Sequence, residues 1–132
     1  MKIIMLSGSN SCGKSSAMNI VHQMLLANNG ILTNKQPLGG NNMDFTDIVS
    51  HQNQRIAFFT MGDYATHLIT AMTNYCNQGF DVLVCACNNK FVKPYKEIEK
   101  YPHHVLTKTL ASAAISQQAA NTVDADKIIT LI

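Results

Sequence analysis

Eight residues near the amino end, Gly8-Ser9-Asn10-Ser11-Cys12-Gly13-Lys14-Ser15, set two glycines, a lysine and a hydroxyl at the spacing G-x-x-x-x-G-K-S. Gly8 and Gly13 can adopt backbone angles and close approaches that a Cβ forbids, so the chain between them can wrap a polyanion with its N–H groups turned inward. Lys14 carries a compact charge on a long stem, suited to the β- and γ-phosphates of a nucleoside triphosphate. Ser15 brings a hydroxyl to where Mg²⁺ would sit, and Ser16 continues a first helical turn whose amides lack intrahelical acceptors. Gly8, Ser9, Asn10, Ser11, Cys12, Gly13, Lys14, Ser15 and Ser16 are thus the candidate phosphate-binding residues. An ordinary Gly/Ser turn capping a helix can have the same composition, and context separates the two readings.

That context is a strand before and a helix after. Ile3-Ile4-Met5-Leu6 is a short apolar run, and Ala17, Ile20, Val21, Met24 and Leu25 then recur at helical spacing until Asn28-Asn29-Gly30 stops the pattern. Residues 31–33 read as a short strand and 34–42, with Pro37, Gly39-Gly40 and paired asparagines, as a loop. Residues 45–52 read as a short helix with Phe45, Ile48 and Val49 on one face, and 55–60 as a buried strand. Tyr64, Ala65, Leu68, Ile69, Met72, Tyr75 and Cys76 mark a helix ending near Gly79, and 81–87 a fully apolar strand. Residues 93–100 read as a helix stopped by Pro102, 104–107 as a strand, 110–120 as an alanine-rich helix, and 123–132 as a second helical face with Ile128, Ile129 and Ile132.

Strands alternating with helices imply an α/β fold with a mainly parallel sheet, helices on both faces, and ligands at the carboxyl edge. Three segments should meet there: the glycine loop, residues 60–63 and residues 87–89. Asp63, just past a strand and at a helix start, can hold a Mg²⁺-bound water or take a proton from a substrate hydroxyl; it can equally cap the helix.

The octapeptide resembles the Walker A motif of P-loop NTPases, and the order of elements is similar to that of small kinases of the nucleotide and adenylylsulfate kinase group. Length and the lack of an internal repeat give one domain over residues 1–132, and the resemblance implies a three-layer α/β/α P-loop fold for it, ATP and Mg²⁺ as cofactors, and transfer of the γ-phosphoryl group to a small acceptor such as a nucleoside or nucleotide. Lys14 and Asp63 would be catalytic, and Ser15 and Asp63 would serve the metal. Three features depart from such kinases. Arg55 is the single arginine, the run Val82 to Cys87 ends in Asn88-Asn89 with no carboxylate, and Lys90, Lys93, Lys96 and Lys100 lack a bidentate fork. A non-catalytic or weakly hydrolytic ATP-binding regulatory module is the alternative, and an ATPase completed by a partner's arginine is a third reading.

Composition sets the outer limits. The chain of 132 residues is 46% hydrophobic, enough to bury a core, and its net charge of +2 does not point to nucleic acid. No run approaches the ~20 apolar residues that cross a bilayer. Cys12, Cys76, Cys85 and Cys87 show no disulfide framework, which fits a reducing cytoplasm. Cys85 and Cys87, two apart on a strand, read as buried thiols, with a metal or redox role the other option. His103-His104, like His22, His51 and His67, lacks the companion ligands of a metal site.

Overall fold

The structure, a computed structural model, describes residues 1–9, 12–32, 35–38, 41–61 and 64–132. In chain order it contains strand β1 (Lys2–Gly8), helix α1 (Lys14–Ala27), strands β2 (Ile31–Leu32), β3 (Gln36–Leu38), β4 (Asn41–His51) and β5 (Gln54–Phe59), helix α2 (Ala65–Asn77), strand β6 (Val82–Asn88), helix α3 (Lys93–Glu97) running into a 3-10 turn (Ile98–Lys100), strand β7 (His103–Thr107) and helix α4 (Gln117–Leu131). All seven strands join one sheet in the order β2-β4-β5-β6-β1-β7, with β3 also on β4. The class is α/β. From β5 to β7 the pairings are parallel; β4 joins β5 antiparallel, and β2 and β3 join β4 the same way.

The continuous apolar runs of β1 and β6 follow from burial on both faces. Ile4, Leu6, Val84 and Ala86 face α1 and α4 through Ala17, Met18, Val21, Leu25, Ala125 and Ile128. Ile3, Met5, Leu83 and Cys85 face the other way, toward Leu68 and Met72 of α2 and Ile98 after α3. Cys85 and Cys87 are therefore fully buried core thiols, and burial followed by the neighbouring Cys87 pushes the Cys85 thiol well above its ordinary range. Cys12, Cys76, Cys85 and Cys87 are all free, and no helix among the described residues is long and apolar enough to cross a membrane.

Three stretches differ from what their composition suggests. The stretch 45–52 is not a helix: residues 45–51 lie in β4, where Phe45, Asp47 and Val49 turn inward in alternation, and Gln52 and Asn53, with φ of 49° and 63°, close a two-residue hairpin into β5. Within the 34–42 loop, Gln36–Leu38 and the start of β4 form a ladder. The 110–120 helix is absent up to Ser116, whose hydroxyl accepts from the Ala119 amide at 3.1 Å and starts α4 there; α4 then absorbs the 123–132 face.

The inward Asp47 needs a partner. His22 of α1 meets it, Nε2 to Oδ2 at 2.6 Å, with both side chains buried and the ring edge-on to Phe45 and Phe58 at 5.1 and 5.5 Å between centroids. The pair ties α1 to the antiparallel half of the sheet. His22→Leu removes the histidine bond of a buried carboxylate that also accepts from the Ile48 amide at 2.7 Å, and is expected to cost about 3 kcal/mol in chemical denaturation, part of which His22→Leu/Asp47→Leu recovers.

Candidate phosphate-binding site

β1 delivers Gly8 to the carboxyl edge, level with Asn88 of β6, and one residue after Ser7 pairs with Thr107 of β7. The backbone of the glycine loop then turns into α1 at Gly13, the N-cap, with a left-handed φ of 96°. A Cβ at Gly13 would stand 2.4 Å from Gln117 Nε2 and 2.7 Å from Asn121 Oδ1, so α4 packs directly on the loop and the ends of these two side chains would have to shift, while the left-handed φ itself strains any other residue. A Cβ at Gly8 would stand 2.8 Å from the Cys12 sulfur and 2.9 Å from Lys108 Cβ. Gly13 is required by its left-handed backbone and Gly8 by close approach.

Among the described residues the start of α1 carries no side-chain cap and no acidic residue in its first turn, so its first amides have no intrahelical or capping acceptor there. Lys14 folds back over the loop, its Nζ donating to the carbonyls of Gly8 and Ser9 at 3.0 and 2.6 Å, and is nearly buried. A phosphate entering here would compete with two neutral carbonyl oxygens for a charged donor, and charge-assisted bonds are the stronger kind. Ser9 is exposed at the mouth, while Cys12 is buried with its sulfur 3.8 Å from Lys14 Nζ. Asn10, Ser11 and Asp63 lie outside the described residues.

A carboxylate that the motif reading did not single out stands next to Ser15. The Ser15 hydroxyl donates to Asp44 Oδ1, which also accepts from the Thr60 hydroxyl at 3.3 Å. Asp44 is only 5% exposed, so it is a built part of this edge. Its position is set twice over. The Phe45 amide donates to Thr60 Oγ1 at 2.8 Å, joining β4 to the end of β5, and Asn19 of α1 donates to the Met43 carbonyl at 2.9 Å. Ser15 and Asp44 together offer a hydroxyl and a carboxylate on one side of the loop, a donor set that suits Mg²⁺ when phosphate oxygens and waters complete the shell. The sequence carried no local signal for this pairing, because Asp44 lies 29 residues from Ser15.

On the opposite side the loop is braced. Gln117 donates to the Cys12 carbonyl at 3.3 Å and to Asn121 Oδ1 at 2.8 Å. Lys108, one residue past β7, is buried with Asp124 at 2.9 Å, and Asp124 also accepts from the Thr109 amide and hydroxyl at 2.9 and 2.7 Å. The Lys108 charge is thereby balanced within the fold.

Other candidates sit elsewhere or are engaged. Arg55, at the far end of β5, stacks on Phe80 at 4.2 Å and donates to the Gln78 carbonyl. His103 and His104 open β7 at the amino-terminal edge, away from the loop. Asn88 uses its side-chain oxygen to accept from the Lys90 amide at 3.0 Å, shaping its own turn, while the Asn89 amide donates to Gly8 O at 3.1 Å.

Comparison with known proteins gives no further handle: no family model, no curated protein and no solved structure matches the chain.

On the other face of β1, Ser7 Oγ and the Tyr95 hydroxyl of α3 share a hydrogen bond at 2.6 Å. Burial pushes the Tyr95 phenol up to about 12, opposed by the Ser7 bond and reinforced by Cys87 and Cys85. A raised phenol keeps its proton in the folded state, so its stabilisation is fully present below pH 10 and is lost as the pH climbs toward about 12. In a phenolate absorbance titration, Tyr95→Phe should delete a component titrating near pH 12.

Proposed function

We propose that the chain binds ATP with Mg²⁺ in the glycine loop, as a three-layer P-loop fold would, and transfers the γ-phosphoryl group to a small acceptor of nucleoside or nucleotide type. The observation that carries this reading is the uncapped, acid-free start of α1 with Lys14 turned into the loop and Ser15 bonded to Asp44. Loop amides and Lys14 would hold the β- and γ-phosphates and meet the charge of the transition state. Ser15 would coordinate Mg²⁺ and Asp44 would fix that hydroxyl and receive a metal-bound water, with Asp63 following the end of β5 as a second carboxylate. Free thiols go with a reducing, cytoplasmic setting.

One observation favours a second reading, a nucleotide-binding module with little turnover. Arg55 is held far from the loop and Asn88 is spent on its own turn, so this edge lacks the cationic fork and the β6 carboxylate that speed transfer.

Calorimetry with MgATP separates these from a plain helix cap. The unsubstituted chain should bind, Lys14→Ala should weaken binding at least about tenfold, and Asp44→Asn should weaken it mainly when magnesium is present. Absence of any MgATP heat from folded protein overturns nucleotide binding. Acceptor-dependent release of ADP distinguishes the kinase from the module.

A further inference from the structure

A cleft of about 400 Å³ opens at the carboxyl edge beside the glycine loop, on the face opposite α1. Its inner wall is Ser7, one residue before Gly8, and Asn89, whose amide is bonded to the Gly8 carbonyl. This is the point where the chain direction reverses. From β1 the connection leaves over α1 toward the antiparallel strands, whereas from β6 it leaves over α3 toward β7, on the opposite face. In open α/β sheets the crevice between two such strands is where ligands lodge.

The outer walls are chemically selective. Phe91 and Tyr95 are half-buried rings, and Val92 adds an aliphatic lip, so the cleft suits a flat ring of modest size. Its charges oppose one another: Lys96 and Glu99, three apart, both line it. Arg55 is at the far end of the sheet, and so nothing here can clamp a phosphate bidentately.

We infer that this cleft takes the phosphoryl acceptor and that the acceptor is an uncharged alcohol carrying a heterocyclic ring, a nucleoside in chemical class, not a nucleoside monophosphate. The inference rests on the nucleotide-binding reading above. The acceptor hydroxyl oxygen forms a bond to the γ-phosphorus, the bond from that phosphorus to the β–γ bridging oxygen breaks, ADP leaves with Mg²⁺, and the hydroxyl proton passes to solvent water at the open mouth. Ser7 and the protonated Tyr95 phenol supply hydrogen bonds for orienting the acceptor.

The test runs the full chain with MgATP against adenosine, guanosine, cytidine and thymidine and against their 5′-monophosphates. Nucleosides are expected to be phosphorylated in preference to monophosphates. Phe91→Ala should raise the nucleoside KM roughly tenfold, with MgADP affinity held. Val92→Arg should do the same by filling the cleft, and Val92, at 63% exposure, can change without disturbing the core. No MgATP binding by the unsubstituted chain overturns the nucleotide reading itself. Retained MgATP binding with preference for monophosphates, no nucleoside turnover, or a nucleoside KM unmoved by both substitutions overturns the acceptor assignment alone.

Discussion

The carboxyl edge depends on β1 being paired along both of its sides. Parallel partners β6 and β7 fix its direction and level, and packing on two faces leaves Ile3, Ile4, Met5 and Leu6 no exposure at all. A strand held in that way cannot slip by one residue without sending each of its inward side chains to the wrong layer. Gly8 consequently arrives at one height relative to Asn88 and Lys108, and the loop that follows starts from a rigid point.

The parallel half of the sheet and the glycine loop were legible because each is written in contiguous residues: apolar runs for β1, β5 and β6, helical spacing for α1 and α2, glycines at fixed offsets. The antiparallel half was not. Phe45, Ile48 and Val49 satisfy helical spacing, and the strand alternation of Phe45, Asp47 and Val49 is masked by an aspartate at an inward position. His22, 25 residues earlier, and the Ile48 amide at 2.7 Å bond that aspartate inside. In the alanine-rich stretch before α4, helix propensity loses to the Ser116 cap and to the bonds of Thr109 with Asp124. Asp44 escaped for a similar reason, since its role exists only once β4 lies against α1. Asp63, the carboxylate singled out by position after β5, falls outside the described residues.

Charge is used sparingly at this edge. Lys108 stands against the loop yet is neutralised by Asp124 in a pocket closed to solvent, and Arg55 is occupied at the distal end. Lys14 is thus the cation available to the loop's interior among the described residues, and its present partners are carbonyls. Buried pairs such as Lys108–Asp124 add little net stability, but losing either member is costly, so they define geometry more than they strengthen it. The arrangement is economical among the described residues: one lysine bonded to neutral carbonyls, one helix start with no side-chain cap, and one carboxylate beside the Ser15 hydroxyl.

Gln117 reaches the Cys12 carbonyl across 105 residues of chain. On a ribosome, the amino-terminal loop would emerge early and wait for α4, while β1 would wait for β6 and β7. Such non-local closure is slow compared with helix formation. Until α4 docks, the glycine motif lacks the brace that shapes it, so the geometry of the first loop is a product of the last-formed contacts and not of the local sequence.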